Sequence, residues 1–223
     1  MITLQKIQEF DQSISPEHIL TNEEKLFYYS LVDAFYSNPI CFAGIFTGND
    51  LDSFHDLCSS KNYNCDAYDC YPFLEEDNKL VFQDYVTSKH SDKDYVTFHW
   101  SDVSSSNNQY SVIYNTAGYK CPIHNLFSKQ KSPCILLNSR GSSWGIFKQD
   151  FNYIFRSNHF DIFVNNDEAR SIFISFLKQN MIKFTQLGFD IVKIDDNLFG
   201  YLRKTSNYKK FVTSFSDVSS FSV

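Results

Sequence analysis

The stretch CFAGIFTGND, residues 41–50, sets two glycines four apart, Gly44 and Gly48, behind an apolar run and ahead of a helix-like stretch. Glycine at such a turn lets a ligand lie against bare backbone, the way a strand turns under a nucleotide. An ordinary strand-to-helix turn asks for glycine as well, so both readings stand at this point. Two histidines, His99 and His124, fall near ends of candidate strands, where an imidazole can take the proton of a hydroxyl during group transfer. His55 lies on a candidate helix and reads as structural. Other chemistries find no footing: there is no Gly-x-Ser-x-Gly elbow, no phosphate loop of the Walker type, and no aspartate cluster with metal-ligand spacing.

The elements that must position these residues follow from patterning. The first 38 residues read as helices. Ser15, Pro16 and Glu17 suit one helix start. Thr21 with Glu24 forms a capping box, ahead of a stripe of Leu26, Phe27, Ser30, Leu31, Ala34 and Phe35. Beyond Pro39, short apolar runs alternate with helical or loop segments. Strands are predicted at 40–46, 64–71, 94–100, 109–118 and 133–140. Helices are predicted at 49–62, with Leu51, Phe54 and Cys58 on one face, and at 124–130. Residues 79–89 are ambiguous, with a helix as one option. The clearest helix begins at Asp167 and ends near Gly188, with Ala169, Ile172, Phe173, Phe176, Leu177 and Phe184 on one face. DIVKIDDNLFGYLRK (190–204) reads as two strands around an Asp195-Asp196-Asn197 turn. The expectation is one α/β domain over residues 1–223: N-terminal helices (1–38) as a cap, a core (39–204) and a Ser-rich tail (205–223). Its sheet would be mostly parallel and seven-stranded, with helices on both faces and a C-terminal antiparallel hairpin.

Composition bounds the partners. With 43% hydrophobic and 17% aromatic residues, 223 residues can fill a core. A net charge of −6, with basic residues clustered only in YLRKTSNYKKF (201–211), argues against nucleic acid as partner. None of the six cysteines forms C-x-x-C. No signal-peptide pattern and no run of about 20 apolar residues is visible. A soluble, reduced, cytoplasmic protein without membrane contact is the expectation.

The order and spacing of residues 38–204 resemble the class I S-adenosylmethionine-dependent methyltransferases, nearest the small-molecule O-methyltransferases. Their first loop commonly reads glycine, any residue, Phe, Thr, glycine, and GIFTG has that form. The resemblance implies a Rossmann-like fold ending in an antiparallel hairpin, with S-adenosylmethionine as cofactor and a small molecule or sugar as acceptor. It implies that Gly44, Phe46, Thr47 and Gly48 line the cofactor. It also implies that Asp69 receives the ribose hydroxyls and that Ser101 and Asp102 lie near the adenine, with Trp100 as a stacking candidate. His124 falls where related sugar methyltransferases carry a histidine, and Asn115 stands where many carry a substrate-positioning or metal-binding Asp. Three departures accompany this. Phe42 replaces an acid before the loop, Asn115 replaces the Asp, and Arg140 with Gly141 replaces an Asp-Asn pair ahead of Trp144. Such sites would hold Mg²⁺ poorly, so no metal is expected. The same departures suit a second reading, a non-catalytic descendant that binds or assembles, viral in origin, with a homodimer or other assembly partner served by its aromatic surface. If the glycines face the cofactor, Gly48→Val is expected to abolish binding and leave the fold largely intact.

Overall fold

The computed structural model describes residues 3–13, 20, 22–37, 39–71, 74–116, 126, 129–139, 153–156, 160–186, 189–191 and 200–204. Among them nine strands form one sheet: β1 (Ile40–Ala43), β2 (Cys65–Tyr68), β3 (Val96–His99), β4 (Tyr110–Asn115), β5 (Gln130–Ser139), β6 (Tyr153–Arg156), β7 (Phe160–Val164), β8 (Phe189–Ile191) and β9 (Gly200–Lys204), in the order β3-β2-β1-β4-β5-β7-β6-β9-β8. The first five are parallel. β7 runs antiparallel to both β5 and β6. The chain winds outward from β1 through β2 to β3, then returns to β4 on the other side of β1. That is the doubly wound pattern of a Rossmann-like fold, with its switch point between β1 and β4.

The expected seven strands are therefore nine. The two further strands are the short runs FDIFV and YIFR, of five and four residues, too brief for their apolar pattern to settle a period. The strand that turns the sheet antiparallel beside β5 is β7. The expected closing hairpin exists as β8 and β9, with Phe189 opposite Lys204 and Ile191 opposite Leu202, at the far edge. Its Asp195-Asp196-Asn197 turn lies outside the described residues, as do the Ser15–Glu17 helix start, Thr21 and the tail from 205 on. Gln130, expected to close a helix, opens β5.

Strand alternation sorts the core into two faces. Phe42, Ala67, Val112, Tyr114, Ile135, Leu137, Ile162 and Val164 meet the helices in the larger core. Cys41, Ala43, Tyr68, Ile113, Leu136 and Phe163 point to the opposite face, toward Val103 and Leu126. The helices are α1 (Leu4–Ser13), α2 (Asn22–Phe35), α3 (Asn49–Ser53), α4 (His55–Lys61), α5 (Glu76–Lys89) and α6 (Asp167–Gln186). The single helix expected over 49–62 is broken at Phe54, which is buried with φ −106°. The Tyr29 hydroxyl donates to the Ser53 carbonyl at the break, 2.7 Å away.

On α2 the buried stripe is Glu24, Phe27, Tyr28, Leu31, Val32 and Phe35. It is rotated from the expected one: Leu26 is 45% exposed and Ala34 faces outward. The run NEEKLFYYSLVDAF is apolar on more than one side, so its period allows two phases, and the sheet selects the one that buries both Phe27 and Tyr28. On α6 the expected Ala169, Phe173, Phe176 and Leu177 are buried. The Asn166 carboxamide oxygen accepts the Ala169 amide at 2.8 Å and caps the helix. Truncating Phe173→Ala is expected to cost about 3–5 kcal/mol in urea unfolding. Ile182→Ala on the same helix, at a side chain 75% exposed, should stay within roughly 0.5 kcal/mol.

Candidate functional site

The ladder registers align one row across the sheet. Ala43 lies opposite Tyr68 and Asn115, Tyr68 opposite His99, and Asn115 opposite Asn138. The next residue on each strand, Gly44, Asp69, Trp100 and Thr116, therefore emerges at one carboxyl edge. Backbone bonds continue the ladder past the strand ends: Gly44 N to Tyr68 O at 2.8 Å, Asp69 N to His99 O at 3.2 Å and Thr116 N to Ala43 O at 2.9 Å. The Thr116 hydroxyl also bonds to the Gly44 carbonyl. Residues 25 positions apart in sequence thus meet because parallel pairing sets their strand ends level.

Asp69 organises this edge. Only 7% exposed, its carboxylate accepts the Phe46 amide at 2.9 Å on one oxygen and the Tyr71 amide at 2.7 Å on the other. Burial raises its pKa above the ordinary carboxylate value, against the pull of backbone amides at Tyr71, Phe46, Ile45 and Cys70. Both principal donors sit at left-handed backbone angles, Phe46 at φ 45° and Tyr71 at φ 42°. Bulky residues occupy that region only when the surroundings impose it. The buried Tyr71 hydroxyl then returns a bond to the Phe46 carbonyl at 2.8 Å. Gly44 and Gly48, at φ 79° and 81°, supply the remaining left-handed corners of the loop.

The two glycines differ in what they face. A Cβ at Gly48 would stand 2.2 Å from His90 Nε2. The space over Gly48 is filled by the protein itself, which corrects the expectation that Gly48→Val spares the fold. Thr47, 1% exposed, offers its carbonyl to Lys89 Nζ at 3.3 Å. From α1, the Asp11 carboxylate accepts Asn49 at 2.9 Å, Tyr85 at 2.6 Å and Lys89 at 2.8 Å. Burial pushes the Asp11 pKa up, but hydrogen bonds from Lys89, Tyr85 and Thr47 together hold it below the usual range. Ile7 of α1 packs against Tyr71, Phe82 and Phe46. The N-terminal helix is thereby fastened over the loop by one apolar and one ionic contact.

The other expected residues spread along the same edge. Ser101 bonds through its hydroxyl to Ser105 at 2.9 Å, and Asp102 caps the 3₁₀ turn 103–105 by accepting the Ser104 amide at 2.8 Å. Trp100 stacks on Phe98 at 5.5 Å and Tyr71 at 6.0 Å, as part of the aromatic core. Phe42 packs on Phe54 and Tyr114, so the position where an acid was expected belongs to the interior. Asn115 is fully buried and donates to the Asn138 carboxamide at 2.7 Å, joining β4 to β5 beneath the edge. His99 turns to the sheet face, stacked on Tyr68 at 4.4 Å and 3.2 Å from Asp66. His55 bonds to the Tyr95 hydroxyl at 2.8 Å. His124, Arg140 and Trp144 lie outside the described residues.

Sequence reasoning missed Tyr71, Thr116, Asp11, Lys89 and His90. Tyr71 carries a signal, an aromatic two residues past Asp69 and just before Pro72, where chain direction must change. Asp11 and His90 carry none, because only helix docking brings them to the loop.

No protein-family model matches the chain, and no curated protein sequence matches it. Several solved structures share its fold in outline. An SAH-bound methyltransferase from Podospora anserina is 10% identical with a TM-score of 0.43, over 85% of this chain and 81% of that one. A methyltransferase from Geobacter sulfurreducens is 12% identical with a TM-score of 0.46, over 73% and 85%. A SAM-dependent methyltransferase from Thiobacillus denitrificans in complex with S-adenosyl-L-homocysteine is 14% identical with a TM-score of 0.42, over 86% and 73%.

Two stability measurements check the loop. Asp69→Ala orphans two peptide donors, each worth roughly 1–3 kcal/mol, and urea unfolding should show a loss of about 2–6 kcal/mol. Gly48→Val adds a left-handed penalty of about 1–2 kcal/mol to overpacking of about 1–3 kcal/mol and should destabilise by about 2–5 kcal/mol in the same assay.

Proposed function

We propose that the chain binds S-adenosylmethionine at the edge formed by Gly44–Gly48, Asp69, Ser101 and Asp102, and transfers its methyl group to a hydroxyl or similar nucleophile of a small molecule or sugar. The observation that carries this reading is the bond between Asp69 and the Phe46 amide. The acid and the glycine turn, 23 residues apart, are locked together at the carboxyl ends of β2 and β1, the edge along which doubly wound sheets take their ligands and next to the β1–β4 switch point. Two non-glycine residues are held there in left-handed conformations around one buried carboxylate. Such outliers gather at ligand clamps, where a surrounding network holds them in place.

The residues present fit the cofactor in part. Ser101 and Asp102 are only partly buried, with polar groups along the adenine side. Gly44 provides the bare turn. Asp69 accepts the Phe46 and Tyr71 amides, with the Ile45 and Cys70 amides also drawn to it, so a sugar hydroxyl would share its oxygens with the loop. Its role here is double: it shapes the loop and addresses the ribose. S-adenosylmethionine supplies an already activated methyl group. The protein's task is orientation and exclusion of water, which can supply much of the rate. α1, clasped over Phe46 and Tyr71, would exclude water on one side. His124 is the candidate base for the acceptor proton. Asn115 would act from below, keeping the β4 and β5 ends aligned.

A specific observation favours a second reading, a non-catalytic member that binds or assembles with a partner, a second copy included. Asn115 is sealed from the edge and Asp69 is largely covered, as expected where a fold is kept and its chemistry lost.

Calorimetric titration with S-adenosylmethionine and S-adenosylhomocysteine distinguishes the two. Micromolar binding of either supports the first, and absence of heat with both leaves the second. If binding occurs, Asp102→Ala, which keeps the loop intact, should weaken it by roughly 1–3 kcal/mol, the worth of a hydrogen bond to a charged group. Unchanged affinity would place the cofactor away from β3.

A further inference from the structure

His90 is the least satisfied polar side chain beside the site. Its side chain is fully buried at the end of α5, and neither ring nitrogen reaches a hydrogen-bond partner among the described residues. A buried imidazole whose nitrogens make no well-aligned hydrogen bond is costly, so its place against the loop calls for a reason. Around the ring stand Gly48 and the Thr47 backbone from the loop, Asp52 from α3 with Oδ1 3.5 Å from Nδ1, Lys89 and Lys93 from its own end of α5, and Phe98 from β3 at 6.4 Å between ring centres. The space a side chain at position 48 would need is taken by the ring.

We propose that His90 is a positioning residue for the Gly44–Gly48 turn: its ring fits against the bare α-carbon of Gly48 and holds the turn in the shape that serves the ligand. The ligand part of this rests on the methyltransferase reading above; the loop part does not. Helix α5, through Lys89 on the Thr47 carbonyl and His90 on Gly48, grips one end of the loop, while Asp69 grips the other. The glycine is required at 48 because a protein ring occupies the place of a side chain.

Burial holds the His90 pKa below its usual value, with Lys93 and Lys89 adding to the fall and Asp52 and the Thr47 backbone opposing it. The imidazole therefore gives up its proton more readily in the folded state than in the unfolded chain. The unfolded chain takes up its proton first as pH falls. The His90 contribution is then complete above about 6.5 and declines as pH falls from there toward the depressed folded value.

The test uses the full chain as parent, Gly48→Ala, His90→Ala, their double variant and His90→Gln. The first readout is amide exchange, which needs no cofactor. In the parent, the amides of Phe46 and Gly48 are protected by Asp69 and the Ile45 carbonyl. His90→Ala should lower their protection at least tenfold while Val112–Tyr114 in β4 keep theirs. The double variant should lose no more than the worse single variant, because both break one contact. Protection at Gly48 should fall below pH 6.5 in the parent and stay flat in His90→Gln, a dependence that packing alone would not give. If His90→Ala proves unfolded, His90→Gln and Gly48→Ala carry the comparison. Loop protection within twofold of the parent in the His90 variants, or losses that multiply in the double variant, overturns the proposal. The second readout is calorimetry with S-adenosylhomocysteine. At least tenfold weaker binding by the folded His90 variants supports the ligand part, and equal binding overturns it. A parent that binds nothing sinks the methyltransferase reading, and the exchange data still decide whether His90 holds the turn.

Discussion

A single carboxylate closes the carboxyl edge of the sheet. Asp69 is nearly removed from water, which alone would drive it toward its neutral form, yet backbone amides from two separate segments converge on it. Those amides belong to Phe46 and Tyr71, both twisted into left-handed angles, and Tyr71 returns its hydroxyl to Phe46. The turn after β1 and the turn after β2 are consequently one unit. Its cost is a buried carboxyl group and two unfavourable backbone conformations, offset by the amide hydrogen bonds that converge on that group.

The remaining contacts are built outward from that unit. Ile7 of α1 rests on Tyr71 and Phe46, and Asp11 fastens the same helix through Asn49, Tyr85 and Lys89. α5 reaches back through Lys89 and His90 to the other end of the loop. A turn held from both ends is preorganised, so a ligand would find its shape already set instead of paying to order it. The same tightness explains why the loop's interior is crowded with aromatic rings: Phe46, Phe82, Tyr71 and Trp100 fill what a looser loop would leave to water.

The sites expected from the sequence divide by distance from this unit. Gly44, Phe46, Thr47, Gly48 and Asp69 come together, and Ser101 and Asp102 continue the edge along β3. Asn115, where the resemblance implies an Asp, belongs to the layer beneath and is paired with the Asn138 carboxamide; Arg140 and Gly141, where it implies an Asp-Asn pair, lie outside the described residues. Two buried carboxylates side by side would repel, whereas two amides satisfy each other. Phe42 likewise belongs to the interior, an aromatic packed against Phe54 and Tyr114. Among the described residues expected at the site, Asp69 and Asp102 are the charged ones.

The alternation of short apolar runs with helical stretches determined the doubly wound parallel core, because strands buried on both faces must be apolar throughout and leave that mark in sequence. The GIFTG spacing and the acid after the second strand pointed to one edge of the sheet, and there the two do meet, because turns after parallel strands share an edge. The ambiguous run at 79–89 became helix α5 only when Phe82 and Val86 found the core. Tertiary structure alone decided the rest. It chose which phase of α2 to bury, since a helix apolar on several sides carries no unique period. It placed β7 antiparallel beside β5, since a five-residue run such as FDIFV carries nothing that names its partner strand. It brought Asp11 and His90 to the loop, across 38 and 42 residues of chain, because side-chain contacts between packed helices obey surface shape and leave no local pattern to read.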